Sequence, residues 1–406
     1  MQSNQDLMKE NEYSFVGLFS GCGGADYGFH KNGFKCLGSI DHNSIALKVL
    51  EENLEVPTYM ADLTNSNVPD IIGKKYVDVV FSGAPCQGFS TAGNRIYDDP
   101  RNSLLVKGGE IALELNAKVF ISENVMGSLS GPFKDYWDTL EEQFLDKGYK
   151  TQFIKINCLD IGMAQMRKRV LFFAWKTKGT SSINWPESIK PKNLGQSLEG
   201  LNSKPKEEGF IELSQENAKI AVKIGQDQKL CNVRGGNRAV PTWEIPEVFG
   251  QVDNNEKDVL VSLRSLRRKN RKRSFGDADP VDLDILVNEH GLGVIDRLIN
   301  LEKKGYVIRK GENSFDLTRT FNGKYKRLSM NEPCTTVDTR FGNPIYFLHP
   351  TENRGFTVRE AARIQGFPDD FKFDGSIREK YRMIGNAVPP PLSVIIAKVV
   401  REQLLP

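Results

Sequence analysis

From residue 13 to about residue 175 the chain repeats one unit: a short apolar run, a turn, then a helical segment. This alternation narrows the possible folds more than any other feature. Residues 14–19 read as a buried strand, followed by the glycine-rich turn Ser20-Gly21-Cys22-Gly23-Gly24. A helix is expected from Ala25 to about Asn32, ending at Gly33. Residues 34–40 form the next expected strand, closing on Asp41, with a helix over 44–53 after it. Further strands are expected at 77–81, 119–122 and 170–175. Strands separated by helices in this way predict a parallel α/β sheet with helices on both faces.

The 406 residues suffice for two or three domains and a sizeable core. Charged residues at 26% and hydrophobic residues at 39% are those of an ordinary soluble globular chain. No run of 18 apolar residues occurs, so no membrane span is expected. The first residues lack the basic-then-apolar pattern of a secretory leader. Six cysteines, at 22, 36, 86, 158, 231 and 334, form no CxxC pair, and the four histidines are far apart. No metal site or disulfide framework is expected, and a reducing cytoplasm fits.

After Trp175 the rhythm stops. Residues 176–206 are rich in Lys, Ser, Gly, Asn and Pro and read as linker and loop. Residues from about 210 to 335 read as a separate mixed domain carrying the block Arg264-Ser265-Leu266-Arg267-Arg268-Lys269-Asn270-Arg271-Lys272-Arg273, in which seven of ten residues are basic. Net charge is only +3, so this local density matters more than the total. The block reads as a phosphate-binding strip, or as a solvated helix face paired with Asp277, Asp279, Asp282 and Asp284 behind it. Further on, Thr357-Val358-Arg359-Glu360 is a capping-box pattern opening a helix through Gln365 that stops at Gly366 and Pro368, and an apolar helical tail covers 392–404.

The chemistry-bearing residues cluster at the ends of the expected strands. Gly83-Ala84-Pro85-Cys86-Gln87-Gly88-Phe89-Ser90 follows the strand at 77–81. Pro85 fixes its own φ and restricts Ala84, while the flanking glycines permit a sharp turn. The Cys86 thiol therefore sits in a stiff turn, as a nucleophile or as a buried structural cysteine. The turn Phe19-Ser20-Gly21-Cys22-Gly23-Gly24 suits a nucleotide-type ligand, and Asp41, about 20 residues on, stands where an acid grips ribose hydroxyls. Asp26 occupies the position of a third glycine, which argues for a cofactor without a pyrophosphate. Asp62 fits an adenine amino group at the end of the third strand, or is a loop acid capping the next turn. Glu123, in Glu123-Asn124-Val125, follows a strand and can donate a proton to a ring nitrogen. In Gln165-Met166-Arg167-Lys168-Arg169, an extended backbone puts Gln165, Arg167 and Arg169 on one face and Lys168 on the other. Two guanidiniums there suit a carbonyl oxygen and a phosphate.

These segments, with Arg359-Glu360-Ala361-Ala362-Arg363-Ile364-Gln365-Gly366-Phe367-Pro368 and Gly385-Asn386-Ala387-Val388-Pro389, resemble the DNA (cytosine-5) methyltransferase family, and they occur in that family's order. The resemblance implies a Rossmann-like, S-adenosylmethionine-dependent methyltransferase sheet with a separate smaller target-recognition domain. On this reading residues 1–178 are the catalytic, cofactor-binding domain and 179–345 the target-recognition domain. Residues 346–380 would form a hinge and recognition-supporting motif, and 381–406 would return to the catalytic domain. Cys86 would add to C6 of a flipped-out cytosine, Glu123 would hold and protonate N3, and Arg169, with Arg167 in support, would bind the ring carbonyl and steady Glu123. The cofactor, converted to S-adenosylhomocysteine, would contact Phe19, Gly21, Gly23, Gly24, Asp41, Asp62, Leu63, Asn386 and Ala387. The family often has Glu where this chain has Asp41, so the ribose contact is made by a shorter acid.

Gln87 and Ser90 would close over the flipped nucleotide, and Arg267, Arg268, Lys269, Arg271, Lys272 and Arg273 would hold the backbone of duplex DNA entering between the two domains. Asn232-Val233-Arg234-Gly235-Gly236-Asn237-Arg238 reads as a base-reading loop or as a plain surface turn. The resemblance further implies a cytoplasmic monomer acting on double-stranded DNA, with no membrane contact. A restriction endonuclease would act on the same site without touching it. A related RNA methyltransferase would carry a more compact insert. A relative that only binds DNA would lack the cysteine, the glutamate or the glycine turn.

Overall fold

Successive side chains of a strand point to opposite faces, and here both faces of the central sheet are apolar. Phe15, Val79, Phe81, Val119, Ile121, Leu171 and Phe173 pack into one buried cluster. Their alternating neighbours Val16, Val80, Phe120, Val170 and Phe172 pack into another. A sheet apolar on both sides must be covered on both sides, as near-continuous apolar runs require.

The structure is a computed structural model describing residues 12–86, 88–89, 97, 99–177, 180–201, 209–274 and 278–405. Strands β1 (Ser14–Leu18), β2 (Lys35–Asp41), β3 (Thr58–Met60), β4 (Val79–Ser82), β5 (Val119–Val125), β6 (Lys150–Asn157) and β8 (Lys168–Trp175) form a seven-stranded sheet in the order β3-β2-β1-β4-β5-β8-β6. The short β7 (Gln165–Met166) pairs instead with Cys334–Thr335. Helices α1 (Gly24–Lys31), α2 (Ser44–Leu54), α3 (Val68–Ile72), α4 (Leu104–Glu114) and α5 (Lys134–Leu145) lie between the strands.

β1 to β5 are mutually parallel, as expected. β8 is not. It runs antiparallel to both β5 and β6, which corrects the all-parallel expectation. The cause is the connection: only residues 158–167 separate β6 from β8, and they hold a 3-10 turn and β7 rather than a crossover helix. Glu123 also falls inside β5 rather than after it.

The chain divides into two compact units. One comprises Met1–Ser203, Asn331–Arg340 and Val358–Pro406; the other comprises Lys204–Met330 and Phe341–Thr357. In the first, the C-terminal helix Pro390–Val399 packs on α1 so closely that a Cβ on Gly28 would lie 2.1 Å from the Ser393 carbonyl carbon. Ser393 Oγ donates to the Gly24 carbonyl (2.8 Å). The run Ile377–Leu404 has the length and apolarity of a membrane-crossing helix, but 67% of its most apolar stretch is buried in the protein.

The second unit lacks a βα rhythm. Trp243, Leu260, Leu263, Leu298, Tyr306 and Phe315 share its larger core. A three-stranded antiparallel sheet, ordered Val281–Asp282, Ser314–Leu317, Val307–Lys310, closes one side. Helix Asn254–Lys269 opens with a reciprocal capping box between Asp253 and Glu256.

Candidate active site

The C-terminal ends of β1, β2, β4 and β5 deliver Phe19, Asp41, Gly83–Cys86 and Glu123 to one cavity of about 220 Å³. In open α/β sheets ligands bind at this edge. The cavity is also lined by Gly21, Asp26, Arg167, Arg169, Asn386 and Ala387.

Three contacts pin the Cys86 turn. Gly83 N–H donates to the Leu18 carbonyl (3.1 Å), which extends the β1–β4 pairing into the turn. Asn124 Nδ2 donates to the Ala84 carbonyl (3.3 Å). Beyond the cysteine, Phe89 N–H donates to the Cys86 carbonyl (3.1 Å), and the Phe89 ring is buried edge-on against Phe133 and Tyr136. Burial pushes the Cys86 thiol above its ordinary range; Arg169 and Arg167 pull it down, and Glu123 adds to the rise.

Arg169 pairs directly with Val125 across the β5–β8 ladder, so it lies diagonal to Glu123 on the same face. Its Nε approaches Glu123 Oε1 to 2.6 Å. The N–H does not point at that oxygen, which leaves Oε1 buried without a hydrogen bond. The pair therefore retains acceptor capacity in the cavity wall.

Gln165, Arg167 and Arg169 are buried while Met166 and Lys168 are exposed, the one-face pattern expected of an extended approach. Arg167 is differently employed from its neighbour. It donates to the carbonyls of Val337 (3.0 Å), Gly385 (3.2 Å) and Ala387 (3.0 Å). Burial drags its pKa down to about 10, with Arg169 adding to the effect. Its two terminal nitrogens thus fix backbone, while its Nε is buried without a hydrogen-bond partner beside the cavity.

The glycine turn and Asp41 are built as one unit. Asp41 accepts from Gly21 N–H (2.9 Å) through Oδ2 and from Asn43 N–H (2.8 Å) through Oδ1. Oδ2 keeps a lone pair for a further donor, while His42 Nδ1 lies 3.3 Å from Oδ1. Phe19 has a left-handed backbone (φ 56°), a strained state for an aromatic residue of the kind that collects at ligand sites. A Cβ on Gly21 would meet nothing within 4 Å.

Gly23 and Gly24 do not line the cavity. A Cβ at Gly23 would lie 2.8 Å from the Leu50 side chain, and one at Gly24 would lie 2.3 Å from the Val388 carbonyl oxygen. They let the turn pack against α2 and the C-terminal segment. Asp62 is exposed, and its Oδ1 accepts from Thr64 N–H (2.9 Å), the turn-capping alternative. That bond holds its carboxyl below the ordinary range. Leu63 is buried in the sheet's core beside Ile40. Gln87 and Ser90 lie outside the described residues.

In the sequence Asp26 stands out only as a missing glycine. It is buried in the cavity wall, accepting from Ser39 Oγ (2.6 Å) and Ser20 Oγ (3.1 Å), and burial raises its carboxyl to about 6. A Cβ on Gly17 would lie 2.4 Å from Asp26 Oδ1, so the glycine in β1 makes room for it. Glu379, Arg382 and Met383 also line the cavity, from helix Ile377–Asn386. No local pattern marks these three, because only the fold brings that helix to the strand ends.

The basic block divides. The Arg267 side chain is 2% exposed and paired with Asp316, which corrects its assignment to a surface strip. Arg273 pairs with Asp279, and Lys272 with Asp282 (2.6 Å). Arg271 donates to the carbonyls of Arg273 and Ser274 (both 2.8 Å). Asp277 lies outside the described residues. Arg268 and Lys269 are exposed on the last turn of helix Asn254–Lys269. In the candidate reader loop Asn232 is buried, Arg238 pairs with Asp227 (2.6 Å), and residues 234–237 are exposed.

A family model for C-5 cytosine-specific DNA methylase matches residues 13–402. The chain is 28% identical to Type II methyltransferase M.DdeI of Desulfomicrobium norvegicum, over 95% of this chain and 88% of that protein. It is likewise 28% identical to Type II methyltransferase M.XorII of Xanthomonas oryzae pv. oryzae, over 96% of this chain and 84% of that protein. Among solved structures, a DNA modification methyltransferase encoded within an E. coli prophage shares the fold, with a TM-score of 0.60 at 22% identity over 97% of this chain and 99% of that one.

Proposed function

The chain belongs to the C-5 cytosine-specific DNA methylase family, and from that premise we propose that it methylates a cytosine flipped out of duplex DNA, through a covalent bond between Cys86 Sγ and ring carbon 6. One observation carries this reading: the Cys86 thiol and the Glu123–Arg169 pair line the same cavity as the Phe19–Gly21 turn and Asp41. A nucleophile, a proton donor and a nucleoside-binding edge thus share one space.

The cofactor proposed is S-adenosylmethionine. The residues fit it. Asp41 keeps acceptor capacity for ribose hydroxyls, Phe19 offers a flat apolar face, and Gly21 leaves the approach open. Asn386 and Ala387 close the same wall. When bound, the cofactor supplies the methyl group as an electrophile on a positively charged sulfur.

The chain's own residues prepare the cytosine. Cys86 attacks carbon 6 as a thiolate. The ring electrons that this displaces are accommodated as Glu123 gives a proton to N3, leaving carbon 5 electron-rich. Arg169 holds Glu123 and faces the ring carbonyl, while Arg167 acts through the backbone it fixes. After methylation, a base or water takes the carbon 5 proton. Those electrons reform the 5,6 double bond, the Cys86 thiolate leaves, and the N3 proton returns to Glu123. Extruding the base costs a few kcal/mol; the stiff Cys86 turn lowers the barrier by orientation.

The relatives' names support a type II restriction-modification context, in which an endonuclease recognises the same sequence without contacting this protein. A monomer in a reducing cytoplasm suits that role, and all six cysteines are free thiols. The test is duplex DNA carrying 5-fluorocytosine, incubated with S-adenosylmethionine and either the wild type or Cys86→Ser. Fluorine cannot leave as a proton does, so the wild type should form a complex that survives a denaturing gel, dependent on both the cofactor and Cys86. Trapping on tRNA but not on DNA would replace the substrate, and no trapping on either would overturn the reading.

A further inference from the structure

We propose that Arg264 reads a guanine in the DNA target, as a specificity-determining residue of the second unit. The inference rests on the duplex-DNA reading above. Most cations of the basic block are drawn towards acids or carbonyls: Arg267 to Asp316, Lys272 to Asp282, Arg273 to Asp279, and Arg271 to backbone oxygens. Arg264 is not. Its side chain makes no hydrogen bond or ion pair among the described residues. Its guanidinium carbon lies over the Trp243 ring, 5.4 Å from the centroid. Trp243 is itself buried in the unit's larger core, so the platform is fixed.

The other neighbour is the exposed loop at residues 234–237. A Cβ on Gly235 would lie 3.7 Å from Arg264 Cζ, and Gly236 has φ +104°, a backbone state that favours glycine. Two glycines in succession leave the space beside the guanidinium without side chains. Arg264 thus presents a planar fork, seated over an indole and with its N–H groups uncommitted, next to a stretch of bare backbone. A phosphate asks only for positive charge, which the exposed Arg268 and Lys269 side chains supply. A guanidinium fork instead matches the paired acceptors O6 and N7 of guanine in the major groove. The contact with the indole also reduces the side-chain entropy lost on binding.

The test expresses the wild type, Arg264→Lys, Arg264→Gln and Arg264→Ala in a host without cytosine-5 methylation and maps methylated sites by bisulfite sequencing. The wild-type sites should share a sequence containing guanine. The alanine variant should still methylate but lose about 10- to 100-fold discrimination at one guanine position, and the lysine variant, a point charge without the fork, should lose less. The glutamine variant should shift that position towards adenine. Arg264→Gln keeps a long polar side chain, so its shift answers the question even where the alanine variant fails to fold. Unchanged site sequences in all variants, with rates lowered uniformly, would mark a phosphate contact and overturn the proposal. A wild-type site without guanine would overturn it as well. Absence of methylation by the wild type would instead sink the underlying methyltransferase reading, and it would be seen without any variant.

Discussion

At the scale of single residues, the Cys86 thiol is held where its charged form is disfavoured, and the two arginines that oppose this are built for different work. Burial raises the thiol, while Arg169 and, more weakly, Arg167 lower it. An attacking cysteine must be a thiolate, so the sign of the pH effect follows. With a pKa above the ordinary value of about 8.5, the thiolate fraction climbs roughly tenfold per pH unit across the neutral range. Adduct formation on 5-fluorocytosine duplex should therefore accelerate from pH 6.5 to 8.5 without reaching a plateau. Arg169→Met removes the more influential of the two opposing charges, so its profile should move further towards alkaline pH, as well as losing rate. Single-turnover trapping at several pH values measures both; a plateau below pH 8 in the wild type would show that the thiol is already ionised. This behaviour was not legible in the sequence. The motif around Cys86 suggests a nucleophile, but the depth of the turn and the approach of Arg169 from an antiparallel strand are products of the fold.

At the scale of elements, the alternation of apolar runs and helices was enough to anticipate the parallel half of the sheet, because both periodicities are local. The direction of β8 was not, since it depends on the length and content of the link from β6. Arg167 illustrates the same limit from the side-chain end. Its burial beside Gln165 and Arg169 follows from strand periodicity, yet its partners are carbonyls of residues 337, 385 and 387, far away in sequence. Gln365 joins the same network, donating to the Ala387 carbonyl (2.8 Å) and accepting from Gln165 Nε2 (2.6 Å). Together they hold the segment that carries Asn386 and Ala387 into the cavity wall. Replacing Arg167 by Met orphans buried carbonyls, at about 1–3 kcal/mol each. Arg167→Met should lower the melting temperature and weaken S-adenosylmethionine binding about tenfold or more, since about 1.4 kcal/mol is a factor of ten. Gln365→Leu should do the same to a smaller degree. Calorimetric titration of the cofactor, without DNA, checks this; unchanged affinity in a destabilised Arg167→Met protein would confine the residue to folding.

At the scale of the whole molecule, the charge is small in total and uneven in place, and the folded structure sorts a contiguous basic sequence into two classes. Arg267 belongs to the interior: its guanidinium and the Asp316 carboxylate are both nearly sealed from solvent. Removing one member of a buried pair strands the other, at about 3–5 kcal/mol. Arg268 and Lys269 belong to the surface, at the C-terminal end of a helix whose dipole already favours cations there. Neutralising them should leave stability nearly unchanged. If these two side chains touch phosphate, each substitution removes one counterion release, so the slope of log affinity against log salt should fall by about 0.9 per charge on duplex DNA. Arg268→Gln with Lys269→Gln should therefore flatten the salt dependence while the melting temperature holds, and Arg267→Gln should do the reverse. Measuring affinity for one duplex at several salt concentrations, beside thermal melts, separates the two classes. An unchanged slope in the double variant would remove the end of this helix from the DNA-binding surface, and the sequence block would then owe its density to the acid pairs within the second unit.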